Sequence, residues 1–193
     1  MIQSFGNNKV KTAVFISGKG SNLKSLIKFS KLKISPISIN LIISNNKNAK
    51  GLLFGNIYNI KKKIFNYKTS SSAEKKILKF LKLNKINLIC LAGFMKVLSK
   101  DFVKNFNGKI LNIHPSLLPK FKGLNTHERV LKNNEKYSGC TVHFVNAKLD
   151  SGKIILQKRV KISKTETVKT LKKKILMEEH KLYPRAILRI FSL

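Results

Sequence analysis

Asparagine and histidine, one residue apart and followed by proline, close the apolar run Leu111-Asn112-Ile113-His114-Pro115. Side chains alternate along a β-strand, so Asn112 and His114 face the same side of a sheet, and Pro115 ends the strand just beyond them. An amide donor and an imidazole then stand together near the carboxyl end of a strand, able to donate to an oxygen on which negative charge develops. Two further groups belong with them. Gly139-Cys140-Thr141-Val142-His143-Phe144 presents His143 on a second strand-like run, and Asp150 lies in the turn Lys148-Leu149-Asp150-Ser151-Gly152. Asp150 is one of two aspartates in a chain with only eight acidic residues, so its survival beside a glycine turn marks it. Each residue also has a plain structural reading. Asn112 suits a turn, Asp-Ser-Gly is ordinary turn chemistry, and His143 is compatible with a satisfied core histidine. Their joint occurrence is what points to a site.

A second region with chemical content is Ser17-Gly18-Lys19-Gly20-Ser21-Asn22, between a strand-like and a helix-like run. Glycines allow close backbone approach, and N–H groups at a helix start attract an anion. The spacing is not that of a Walker loop, and Leu23 stands where a dinucleotide fingerprint needs its third glycine. A single phosphate fits best, against the alternative of a tight turn with Ser21 or Asn22 capping the helix.

The elements that must position these residues are legible from apolar periodicity. Strands are expected at 12–16, 37–43, near 63–66, at 86–92, 109–113, 141–145 and 154–160. Helices are expected at 22–29, near 49–57, at 73–83, 100–105 and 167–188. Residues 67–72 read as a loop ending in a helix cap, with Lys68-Thr69-Ser70-Ser71-Ser72 at its centre. Strands rich in Val, Ile and Leu with little alternation suit a sheet covered on both faces. The alternation of types predicts an α/β fold, a doubly wound, Rossmann-like and mostly parallel sheet, with ligands beyond the carboxyl ends of its strands. At 193 residues one domain spanning 1–193 is expected.

Composition excludes several classes. Hydrophobic residues make up 42% and charged residues 25%, the profile of a folded chain. No apolar run is long enough to span a bilayer, and residues 1–8 are too polar for a signal peptide. Two cysteines, Cys90 and Cys140, offer neither a disulfide framework nor a metal spacing, and a small buried hydrophobe is the reading for each. A cytoplasmic location without membrane attachment follows as an expectation. Forty Lys+Arg against eight Asp+Glu give a formal net charge of +32, which suggests a nucleic-acid binder. The excess is lysine spread along the whole chain, however, and arginine, the better residue for reading bases, is scarce. Lysine, isoleucine and asparagine share A/T-rich codons, so compositional drift accounts for the charge without a specific nucleic-acid partner.

Seven stretches together resemble the folate-dependent glycinamide ribonucleotide formyltransferase family along nearly the whole chain. They are Ile16-Ser17-Gly18-Lys19-Gly20-Ser21-Asn22-Leu23, Leu91-Ala92-Gly93-Phe94-Met95-Lys96-Val97-Leu98, Asn112-Ile113-His114-Pro115-Ser116-Leu117-Leu118-Pro119, Gly123-Leu124-Asn125-Thr126-His127, residues 139–145, Leu149-Asp150-Ser151-Gly152 and Glu179-His180-Lys181-Leu182-Tyr183-Pro184. The run from Asn112 to Pro119 is the most specific of these.

The resemblance implies a catalytic trio of Asn112, His114 and Asp150, with His143 in support. It implies phosphate binding by Gly20, Ser21 and Asn22, with Lys19 at a variable position, and recognition of the ribose or glycinamide end by Glu179. Met95, Lys96, Val97 and Leu98 match the segment lining the folate pocket, Lys96 standing where arginine is common. The implied co-substrate is 10-formyltetrahydrofolate, the acceptor is glycinamide ribonucleotide, and no metal is implied. Oligomeric state is not readable. Three alternatives stand beside this reading. A formyltetrahydrofolate deformylase uses the same trio with water as acceptor but carries an extra N-terminal domain. A methionyl-tRNA formyltransferase carries a further C-terminal domain. A basic RNA-binding protein on an inactivated fold would be free to lose the trio, which is intact.

Overall fold

The computed structural model describes residues 9–67 and 69–191. The polar start at 1–8 and Lys68 of the expected loop lie outside them. The chain divides into two compact units, Met1–Leu111 and Asn112–Leu193.

In the first unit the elements run β1 (Val10–Ile16), α1 (Ser21–Ser30), β2 (Ile37–Ser44), a 3₁₀ turn at Lys50–Leu52 leading into α2 (Leu53–Ile57), β3 (Lys61–Ile64), α3 (Ser70–Leu83), β4 (Leu88–Leu91) and α4 (Lys100–Asn105). β5 (Lys109–His114) begins here and ends in the second unit. β1 pairs in parallel with β2 on one side and with β4 on the other, and β3 adds in parallel outside β2. The chain thus moves outward from β1 to β3, then returns to β4 across β1. That reversal is the expected double winding, and it puts a crevice beyond the carboxyl ends of β1 and β4.

Ala13, Val14, Phe15 and Ile16 are all fully buried, as a central strand covered on both faces requires. Phe15 meets Phe94 edge-on at 5.3 Å and Phe102 at 6.4 Å. Helix α3 turns Ala73, Ile77 and Leu81 inward at spacings of four. On the outer strand β3 the exposed Lys61, Lys62 and Lys63 guard an edge against pairing with other chains.

The second unit contains the end of β5, then α5 (Thr126–Lys132), β6 (Tyr137–Phe144), β7 (Ile154–Lys161) and α6 (Val168–Phe191). β6 and β7 are antiparallel, and α6 packs on both. The buried face of α6 is Leu171, Ile175, Leu182, Tyr183, Ala186 and Ile187, with Glu179 among them.

Expected and observed elements differ in instructive places. β3 and α3 each begin earlier than expected, and β6 begins at Tyr137 rather than 141. The start of β6, Tyr137-Ser138-Gly139, carries little apolar pattern, and pairing with Lys161, Val160 and Arg159 of β7 makes it strand. Helix α5 was not expected at all. Its start is marked in the sequence by Asn125 at the N-cap with Glu128 three residues on, but Asn125 is left-handed at φ 55° and makes no side-chain cap bond. The cap expected after residue 67 is also absent: Thr69 is extended and bonds no helix N–H through its side chain. The 3₁₀ turn is held close to the loop after β1. A Cβ on Gly51 would lie 2.7 Å from Ile16 Cδ1 and 2.9 Å from Gly20 Cα, contacts too short to keep. Gly51→Ala is therefore expected to cost about 1–3 kcal/mol, and thermal unfolding should show it as a fall of several degrees.

Candidate active site

The end of β5 presents Asn112 and His114 as expected, and Asp150 joins them from the turn before β7. Asp150 is buried, and its backbone is left-handed at φ 44°, a conformation aspartate tolerates better than most residues. Its Oδ1 accepts from the Asn112 amide at 3.4 Å, and its Oδ2 accepts from the Gly123 N–H at 2.9 Å. The same Oδ2 lies 3.3 Å from His114 Nδ1, and Oδ1 lies 3.7 Å from His143 Nε2.

Tautomers follow from the partners. His143 Nδ1 is 2.8 Å from the Phe144 carbonyl, which only accepts, so Nδ1 carries the hydrogen. Its Nε2 lies 3.3 Å from the Asn112 amide nitrogen and 3.7 Å from Asp150 Oδ1. His143 thereby fixes the rotation of the Asn112 side chain, whose N–H groups point to His143 and Asp150. His114 Nε2 lies 2.8 Å from the Phe121 carbonyl and must donate to it. Its Nδ1 faces the Asp150 carboxylate, so both ring nitrogens find acceptors only when the ring is charged. Burial lowers the His114 pKa, an effect that the Phe121 carbonyl and Asp150 oppose without reversing. Burial pushes the Asp150 carboxyl up, but the His143 and Gly123 hydrogen bonds and the two imidazoles outweigh it and hold the group below its ordinary value. The result is a retained carboxylate beside a ring that gains an ion pair when it takes a proton.

The loop carrying Phe121 and Gly123 is braced from α5. Arg129 Nη1 donates to the Lys122 carbonyl at 2.6 Å, and its guanidinium lies 5.5 Å from the Phe121 ring centroid. Upstream, Thr141 of β6 donates to the Ser116 carbonyl at 2.6 Å and accepts from the Leu118 N–H at 3.1 Å. Gln157 of β7 donates to both Thr141 and the Leu118 carbonyl at 2.8 Å. Phe121, Gly123 and Arg129 carried no assigned role in the sequence. Two of them act through backbone atoms, which leave no signature in residue type. Arg129 had one signal, being one of only four arginines among forty basic residues. His127, quoted in the sequence only within a motif, carried no assigned role either; burial, Lys172 and His114 lower its pKa.

The other expected site residues fall as follows. Gly20 is left-handed at φ 72° and forms the N-cap of α1, so neither Ser21 nor Asn22 holds the cap position that the alternative reading gave them. Ser21 and Asn22 open the helix. Met95, Lys96 and Val97 are exposed beyond β4, whereas Leu98 is buried. Glu179 is buried on α6, where its charge reaches Cys140 of β6, a thiol pushed up chiefly by its burial. Among the described residues no group of three or more His, Cys, Asp or Glu side chains is arranged to hold a metal, and no helix is long and apolar enough to cross a membrane.

A family profile described as formyl transferase matches residues 10–187. The chain belongs to that family. Phosphoribosylglycinamide formyltransferase of Haemophilus influenzae is 38% identical over 92% of this chain and 85% of its own length. The trifunctional purine biosynthetic protein adenosine-3 of Homo sapiens is 42% identical over 98% of this chain, which spans only 19% of that protein. Among solved structures, phosphoribosylglycinamide formyltransferase from Brucella melitensis superposes with a TM-score of 0.90 at 38% identity, covering 96% of this chain and 97% of that one. The enzyme of the same name from Anaplasma phagocytophilum gives 0.86 at 40% identity, covering 92% and 84%. The fold is therefore the α/β, mostly parallel sheet that the sequence pattern predicts, in the form the formyltransferase structures share.

The depressed Asp150 carboxyl has a consequence for stability. A carboxyl whose folded pKa lies below its unfolded value stabilises the fold above the unfolded value, and that stability is lost as pH falls through the folded one. Asp150→Asn removes the titration, so the difference in stability between wild type and variant should shrink as pH is lowered from 6 toward 3, read by thermal unfolding along a pH series. A difference independent of pH would contradict the assigned environment.

Proposed function

We propose that the protein transfers the formyl group of 10-formyltetrahydrofolate to the amine of glycinamide ribonucleotide, a step of purine synthesis, as one formyltransferase domain spanning 1–193. The observation that carries this reading is the hydrogen-bonded set in which Asp150 joins Asn112 to His114. The named relatives that match over most of their own length support the same acceptor.

The amine nitrogen attacks the formyl carbon, and charge gathers on the formyl oxygen. Asn112 has two amide hydrogens and His114 two ring hydrogens when charged. One of each anchors the side chain, and the other is redirected to the oxyanion, His114 exchanging the Phe121 carbonyl for it. Asp150 holds the imidazolium and accepts the amine proton, directly or through water. The bond from the formyl carbon to the folate nitrogen then breaks, and that nitrogen gains a proton. Gly20, Ser21 and Asn22 take the substrate phosphate at the start of α1, Glu179 takes the ribose or glycinamide end, and Met95, Lys96, Val97 and Leu98 line the folate pocket. Small-molecule substrates, no specific nucleic acid and a cytoplasmic location complete the reading.

The first test is spectroscopic turnover of 10-formyltetrahydrofolate by the purified chain, with and without glycinamide ribonucleotide. Turnover only with the nucleotide supports the transferase. Equal turnover without it makes the chain a deformylase. His114→Ala should abolish transfer and Asn112→Ala should lower kcat on the order of 10²–10³-fold, with circular dichroism unchanged. Near-full activity in either variant would remove that residue from the mechanism. The charge of +32 should also draw in two anionic substrates, so KM is expected to rise with ionic strength between low and physiological salt.

A further inference from the structure

Ser17 stands directly after β1, where the strand order reverses, and it is tied to the ends of both neighbouring strands. Its hydroxyl donates to Asn45 Oδ1, just after β2, at 2.5 Å and accepts from the Met95 N–H, beyond β4, at 2.7 Å. Its main chain repeats the pattern. The Ser17 N–H donates to the Gly93 carbonyl at 3.1 Å, and its carbonyl accepts from Asn46 Nδ2 at 3.1 Å. The next residue continues the brace, the Gly18 carbonyl accepting from the Gly51 N–H at 3.0 Å.

The segment that Ser17 holds places apolar side chains in solvent. Phe94 anchors it inward against Phe15 and Tyr67, at 5.3 and 5.7 Å between ring centroids. Directly after that anchor, Met95 and Val97 are 60% and 66% exposed. Two large apolar side chains held in water next to a left-handed glycine, Gly93 at φ 74°, need a fixed backbone if they are to form one wall. The Ser17 hydroxyl supplies that fixing at the Met95 amide, immediately before the exposed pair.

We propose that Ser17 is a positioning residue: its hydroxyl sets the Met95 main chain, so that the exposed 95–97 segment meets the folate ring preformed rather than being ordered by it. The proposal rests on the reading of 95–98 as the folate segment. A preformed segment spares the ligand the entropy of ordering it, so the loss on removing the hydroxyl falls on folate affinity and not on the chemical step.

The test is initial-rate kinetics of the full chain with both substrates varied. Ser17→Ala should raise the KM for 10-formyltetrahydrofolate roughly fivefold, the scale of one hydrogen bond, with kcat and the KM for glycinamide ribonucleotide little changed. Ser17→Thr, which keeps the hydroxyl, should restore most of the affinity. Ser17→Cys keeps the volume with a weak hydrogen-bonding group, and it answers the same question if the alanine variant fails to fold. An unchanged folate KM in Ser17→Ala, or an equal rise for both substrates without rescue by threonine, would overturn the proposal. Val97→Asp separates the two layers. If it leaves the folate KM untouched, the placement of folate on 95–98 fails. If it raises that KM while Ser17→Ala does not, only the role of Ser17 fails.

Discussion

Everything at the candidate site turns on one buried carboxylate. Asp150 accepts from the Asn112 amide and the Gly123 N–H and faces both His114 and His143, all within 3.7 Å. A carboxylate taken out of water is costly unless its oxygens are satisfied, and these partners satisfy both. The constraint works in the other direction too. Without the carboxylate, Asn112 has no second acceptor for its amide, and His114 has no counter-ion for a proton at Nδ1. The left-handed backbone at Asp150 is the local strain this arrangement sustains.

His114 and Asp150 are perturbed by opposed causes, and this opposition suits them to acyl-group chemistry. Burial favours the neutral form of each. The ion pair between them, the Phe121 carbonyl and the Gly123 amide favour the charged forms. For Asp150 the partners win and the carboxylate is retained. For His114 burial wins by enough to lower its pKa, a preference for the neutral ring that a developing negative charge nearby would work against. A group poised in this way gives more to a charged transition state than to a neutral ground state, the differential that accelerates a reaction.

The legible part of this molecule is the part written in side chains with a period. The apolar strands, the glycine-bounded loop after β1 and the polar pair Asn112 and His114 on one strand face can all be read from residue type and spacing, and so can the aspartate in its turn. What was not legible acts through backbone atoms or through tertiary pairing. The Phe121 carbonyl and Gly123 N–H belong to residues whose types do not advertise the contact. Helix α5 begins at a left-handed Asn125 that makes no side-chain cap bond, and it carries Arg129 back to the Lys122 carbonyl seven residues earlier, a side-chain-to-backbone contact that residue type does not announce. The early start of β6 comes from its ladder with β7 and not from its own pattern.

The acidic residues show how a charge of +32 coexists with an intact site. Each of the eight stands where its charge has a physical use. Glu74 is buried and accepts from the Ser99 N–H and hydroxyl, fixing the residue that caps α4. Asp101 and Glu128 sit in the first turns of α4 and α5, where negative charge meets the positive end of the helix dipole. Glu135, Glu166 and Glu178 pair with Lys120, Lys174 and Lys181. Asp150 and Glu179 are the two buried acids of the second unit, and both carry family motifs. The lysines are spread along the sequence, and what is ordered is the set of acids among them.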